Sequence, residues 1–178
     1  MTSSSRVLYL LGCAAPPVRR LLPAVGACQQ AGWNVAVVLT PTAHRWLQED
    51  IPALEKATGH PVRHQFKLPD EADVLPSADA ILAAPVTFNT LNKWADGHAD
   101  TLVLGLLTEA IGLQLPVVAL PYLNAAQAAH PALGRHVDVL RGAGVDILLG
   151  DGGFIPHIPK HGDLDGYPWD TAIAALPR

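Results

Sequence analysis

Four stretches of this chain place polar or small side chains directly behind a short apolar run. Pro85-Val86-Thr87-Phe88-Asn89-Thr90 follows the run 80–84, and Pro121-Tyr122-Leu123-Asn124 follows 117–120. Thr40-Pro41-Thr42 follows 35–39, and Gly12-Cys13-Ala14-Ala15-Pro16 follows 7–11. Thr87, Asn89 and Thr90 supply hydroxyls and an amide, and an asparagine amide can present a donor and an acceptor to a planar heterocycle. Their plainer role is helix capping, which is also the first reading of Thr40 and Thr42. The small residues 12–16 let backbone amides approach a phosphate, or simply make a tight turn. They form neither a G-x-G-x-x-G fingerprint nor a P-loop lysine motif.

The histidines are the other source of chemistry. His64 lies in the run 62–66 between Arg63 and Gln65, where an imidazole moves protons near neutral pH or, more simply, sits half-buried and hydrogen-bonded. His157 and His161 have an i, i+4 spacing, but Pro159 between them opposes a helix and no third ligand is evident, so no metal is expected. His98, His130 and His136 read as surface residues of helical stretches. No G-x-S-x-G elbow occurs.

The elements that must position these residues alternate. The runs 7–11, 35–39, 80–84, 117–120 and 145–149 are almost continuously apolar, as parallel strands are when both faces are covered. The run 62–66, interrupted by Arg63, His64 and Gln65, is expected to be shorter or nearer an edge. Helices are expected over 18–30, from about 43, from about 91, over 102–111 and over 131–142, with Gly32 and Gly142 as stops. Strand–helix alternation predicts an α/β, three-layer, Rossmann-like (flavodoxin-like) doubly wound parallel sheet, in a single domain over 1–178. Residues 151–168 carry glycines, prolines and histidines without a core period and read as a flexible loop or flap over the site. Residues 169–176 are expected to form a closing helix.

Composition narrows the function classes. Apolar types make up 49% of the 178 residues, charged types 16%, and the net charge is −4, which supports a large core and disfavours a nucleic-acid binder. Two cysteines, Cys13 and Cys28, are too few for a disulfide framework and read as free thiols. No apolar stretch approaches the roughly 20 residues of a membrane helix. Arg6 and the run ending at Cys13 imitate a lipoprotein signal, but the apolar part is too short, so a cytoplasmic protein is expected.

The chain resembles the FMN-dependent flavoprotein family of cysteine decarboxylases. The family includes phosphopantothenoylcysteine decarboxylase and the lantibiotic decarboxylases that oxidise a peptide's C-terminal cysteine. Residues 84–90, followed by Lys93, Ala95, Gly97, Ala99 and Asp100, are similar to the family's Pro-Ala-Ser-Ala-Asn-Thr segment and the helix after it. Residues 37–43 resemble its second strand and turn, and 121–124 with His130-Pro131 occupy the place of its Pro-x-Met-Asn-x-x-Met-Trp motif. The resemblance implies FMN, with Gly12, Cys13, Thr40, Thr87, Asn89 and Thr90 around it. It implies His64 as the active-site acid/base, Asn124 as the anchor of a substrate carboxylate, and a homotrimer or assembly of trimers with the ring held between subunits. The implied substrate is a small thiol or a peptide. Cys13 stands for the usual Ser, Thr87-Phe88 for Ser-Ala, Leu123 and Gln127 for the two Met, and Ala128 for the Trp. The tail after Gly150 lacks a cysteine. These changes fall on the substrate side more than on the flavin side and argue against a role in coenzyme A synthesis. They leave room for a non-catalytic flavin-binding regulatory subunit. A flavin prenyltransferase relative would need a basic phosphate clamp, for which only Arg135 and Arg141 stand out.

Overall fold

A computed structural model describes residues 6–178. Five parallel strands form one sheet in the order β2-β1-β3-β4-β5, with β1 at Val7–Gly12, β2 at Asn34–Leu39, β3 at Ala80–Thr87, β4 at Val117–Tyr122 and β5 at Asp146–Ile147. Successive side chains of a strand point to opposite faces, and the two cores divide accordingly. Leu8, Leu10, Val35 and Val37 pack in one cluster with helices α1 (Leu21–Gln30), α3 (Ile51–Thr58) and α8 (Trp169–Ala174). Leu11, Val38, Ile81 and Ala83 pack in the other with α4 (Phe88–Ala95), α5 (Leu102–Gly112) and α7 (Pro131–Gly142). These are the three layers expected from the alternating pattern.

The strand order turns between β1 and β3. From β1 the chain crosses to β2 on one side, and β3, β4 and β5 then build out on the other. Such a switch point opens a crevice at the carboxyl ends of the strands.

Three expected elements differ. The run 62–66 is no strand. Only Arg63 pairs, through a single parallel bridge to Val38, with its N–H donating to Val37 O and its carbonyl accepting from Leu39 N. Arg63, His64 and Gln65 cannot be buried on both faces, so the ladder stops after one rung. The helix expected over 18–30 starts earlier, as a 3₁₀ turn at Pro16–Arg20, and becomes α-helical at Leu21. Pro23 in its first turn costs no intrahelical bond. The stretch expected from about 43 is two helices, at Pro41–Trp46 and Ile51–Thr58, and a short helix at Ala125–Ala128 was not expected; the remaining helices fall close to expectation. Gly32 stands at φ 91 just past α1, in the left-handed region where a glycine stop belongs.

Candidate functional site

At the switch point the turn after β1 is pinned to β3: Cys13 N–H donates to Pro85 O at 2.9 Å. Cys13 is buried. Burial pushes its thiol up, opposed by bonds to the Thr90 side chain and the Thr87 backbone. It lies beneath Thr87 and Thr90, while Ala14 lines both parts of the crevice and Ala15 and Pro16 line one of them. Gly12 is buried under the same turn. A Cβ there would lie 2.9 Å from Leu39 Cδ2 and 3.1 Å from Val18 Cγ2, so its smallness serves packing of the 3₁₀ turn on the sheet. Cys28 lies deep in the α1 layer, its thiol pushed up to about 12 by burial.

Both threonine caps are made. Thr40 is the N-cap of α2 (Pro41–Trp46) and accepts from Ala43 N. Thr87 caps α4, accepting from Thr90 N at 3.2 Å and donating its own hydroxyl to Thr90 Oγ1 at 3.1 Å. The structure thus gives these hydroxyls their plain role and also sets them on the rim of a crevice. Asn89 is different. It is exposed in the first turn of α4, and its amide makes no hydrogen bond among the described residues.

Two adjoining grooves run along this edge. One, of about 380 Å³, is lined by Thr40, Thr42, Thr87, Asn89, Thr90 and Lys93, with Leu104 at its apolar side. The other, of about 310 Å³, is lined by Phe88, Asn89, Tyr122, Leu123, Asn124 and His157. Ala14, Thr87 and Asn89 belong to both, so the grooves are continuous. β3 and β4 shift register between Ala83 and Val86 and then pair Thr87 with Tyr122, which sets Tyr122 beside the shared residue Thr87 in the second groove.

Asn124 caps the short helix α6 (Ala125–Ala128) in a reciprocal box: its Oδ1 accepts from Gln127 N at 2.9 Å, and Gln127 Oε1 accepts from Asn124 N at 3.0 Å. The Asn124 side-chain NH₂ remains available to the groove.

The segment 151–168, read from sequence as a flap, is fastened at several points. It bridges Asn124 at His157, with Ala125 N–H donating to His157 O at 2.8 Å. Phe154 bridges Leu149, and the Tyr167 hydroxyl donates to Leu120 O at 2.6 Å. Tyr122, Phe154, His157 and Tyr167 pack their rings together. The His157 ring places Nδ1 2.9 Å from Ile158 O, and its Nε2 is buried without a partner.

His64 is not brought to either groove. It stacks on His44 of α2, ring centroids 3.6 Å apart and 16° from parallel. Burial first, then the charges of His44 and Arg63, hold its imidazole below the usual histidine value. His136, expected at the surface, is buried between α4 and α7, with Nδ1 2.7 Å from Asn92 Oδ1 and Nε2 3.1 Å from Asp96 Oδ1. Sequence reasoning missed Ala14, Lys93, Tyr122 and His157 as groove residues. For His157 the signal was the loop 151–168 expected over the site; which of its residues meets Asn124 follows from the closure of that loop. Among the described residues no cluster of three or more His, Cys, Asp or Glu is arranged for a metal ion, and no helix is long and apolar enough to cross a membrane. Neither Arg135 nor Arg141 lines either groove; Arg141 donates to Ile147 O instead.

A larger hollow, about 570 Å³, lies elsewhere, between residues 63–77 and α5. Its wall is largely apolar and takes none of the polar residues behind β3 and β4, which gather instead at the two grooves. Their character suits a flat heterocycle with a polar tail. They supply an unpartnered Asn amide, threonine hydroxyls, first-turn amides of α4 without intrahelical partners, and one cation, Lys93.

The sequence pattern of the flavoprotein family matches residues 6–168. The coenzyme A biosynthesis bifunctional protein CoaBC of Bacillus subtilis is 32% identical over 115 residues, 62% of this chain and 28% of that protein. Phosphopantothenoylcysteine decarboxylase of Mus musculus is 32% identical over 124 residues, 64% of this chain and 57% of that protein. The chain therefore spans well under two thirds of these relatives. Among solved structures, the FMN-dependent cysteine decarboxylase SpaF superposes with a TM-score of 0.70 at 25% identity, covering 96% of both chains. The epidermin biosynthesis protein EpiD from Staphylococcus aureus does so with 0.65 at 20% identity, over 80% of this chain and 81% of that one, which shows the shared fold. On the family match, which covers nearly the whole described chain, this chain belongs to the flavoprotein family.

Proposed function

We propose that this chain binds FMN along the two grooves and carries out oxidative decarboxylation of a cysteine-type thiol, free or at a peptide end. The observation that carries the reading is the continuous crevice at the β1/β3 switch point with the Asn89 amide standing unpartnered across both halves. In it Thr40, Thr87, Asn89 and Thr90 hold the cofactor, over a floor made by Gly12 and Cys13. SpaF, at 25% identity, is an FMN-dependent cysteine decarboxylase, and a structure of EpiD holds the substrate peptide DSYTC, which ends in cysteine.

FMN, held by Thr40, Thr87, Asn89 and Thr90, would supply a two-electron acceptor for the thiol-bearing carbon, the oxidation that makes loss of the neighbouring carboxylate as CO₂ favourable. Asn124 orients the substrate carboxylate through its free NH₂ at the groove end. Tyr122 and Leu123 wall that end against water. His64 carries the proton. It stacks on His44 of α2 outside the lining of either groove, and the reading therefore takes the protein as a homotrimer, or an assembly of trimers, in which the ring lies between copies. The protein works in the cytoplasm.

Purified protein should be yellow, with about one FMN per chain, and a peptide ending in cysteine should bleach it in the absence of air. A colourless preparation that takes up no added FMN overturns the reading. A non-catalytic, flavin-binding regulatory subunit is the second reading. It is favoured by Gln127, which occupies a Met position of the family motif and is spent on capping Asn124.

A further inference from the structure

His64 is fastened unevenly. Its backbone neighbour Arg63 is tied to β2 by two hydrogen bonds, but no hydrogen bond holds the His64 ring among the described residues. What meets the ring is the face of His44, 3.6 Å away and nearly parallel. A histidine on a polar, partly exposed segment would otherwise sample several rotamers.

His44 is itself well placed. It lies one turn into α2, its N–H donating to Thr40 O at 2.9 Å. The flanking residues Ala43 and Leu47 are buried in the core and fix the helix on the sheet. The N-terminal residues of the same helix, Thr40 and Thr42, line the groove. One short rigid element therefore connects the cofactor groove to the stack.

We propose that His44 is a positioning residue for His64: stacked flat against it, His44 holds that imidazole in a single orientation. The inference rests on reading His64 as the proton carrier. A charge beside the His64 ring opposes a charge on it. The groups that bear electrostatically on His64 are His44 from α2 and Arg63 beside it; both are basic, and burial acts in the same direction. All three favour a neutral ring, the form a proton acceptor needs near pH 7.

The test uses the flavin-loaded protein with ring-labelled histidines, followed by NMR across pH, in wild type, His44→Phe and His44→Ala. Phe keeps a flat stacking face and cannot be protonated; Ala removes both. The His64 midpoint should rise toward the ordinary histidine value in both variants. The ring-current displacement of the His64 signals should persist in His44→Phe and vanish in His44→Ala. With a peptide ending in cysteine as probe, the acid limb of flavin bleaching should move to higher pH in both. Its plateau should be kept in His44→Phe and fall roughly 10- to 100-fold in His44→Ala, the cost of a misplaced catalytic group. Unchanged His64 midpoint and ring-current displacement in His44→Ala overturn the pairing. Full bleaching by His64→Asn overturns the base role of His64, and with it any catalytic purpose for His44; the NMR result is independent of turnover, so the two failures are told apart.

Discussion

Asn89 and Asn124 are both asparagines at strand ends, and the structure spends them differently. Asn89 keeps its whole amide for the groove, whereas the carbonyl of Asn124 is committed to Gln127 N. Asn89→Ala should therefore weaken FMN binding about tenfold, the worth of one good hydrogen bond, while leaving the melting temperature unchanged, as flavin titration and thermal melting would show. Asn124→Ala removes a cap and should lower stability by about 1 kcal/mol in addition to its effect on turnover. His64→Asn should leave the yellow colour and abolish bleaching. The pH dependence follows from sign. The folded-state value of His64 is depressed, so the ring is neutral and active above it and turnover falls as acid protonates it. The same depression makes folding less favourable as pH drops through the histidine range. Thr87, Asn89 and Thr90 were legible in the sequence because polar residues behind a buried run have few other places to go. His136 was not, since Asn92, 44 residues earlier in the chain, together with Asp96, accounts for its burial.

At the scale of elements, an apolar run announced each of the five strands, and one further run, 62–66, failed to become one. In 62–66 three consecutive polar side chains outweigh Val62 and Phe66, and the edge of β2 receives one bridge instead of a ladder. Sequence could indicate weakness there but not that the segment would turn away to wall the large hollow beside α5. The closing segment depends on one tight approach. A Cβ on Gly153 would lie 2.5 Å from both the carbonyl carbon and oxygen of Leu148, which backbone cannot vacate without moving. Gly153→Ala should cost about 1–3 kcal/mol, visible as a melting temperature lower by several degrees. Gly162 meets a side chain instead, the Tyr122 hydroxyl. Gly162→Ala should be milder for stability but should turn the Tyr122 ring, altering which substrates bleach the flavin.

For the whole molecule, strand order was the part least open to sequence. Periodicity distinguishes buried parallel strands from exposed ones, yet β3 lying beside β1 rather than β2 follows from how helices cover both faces. That order creates the crevice, and so the site. Phe66, Leu68 and Val74 expose large apolar faces around the hollow beside α5. If copies associate there, light scattering should give three chains or a multiple of three, and Phe66→Asp should shift the population toward single chains with loss of turnover. The bridge between Asn124 and His157 gives the molecule one more property. The residue that would grasp an acidic end-group and the strap that closes over it share a single backbone joint, so tension on either is felt by both. A protease nick within 158–163 should therefore blunt the preference for acids over their decarboxylated counterparts, yet leave the preparation as yellow as before.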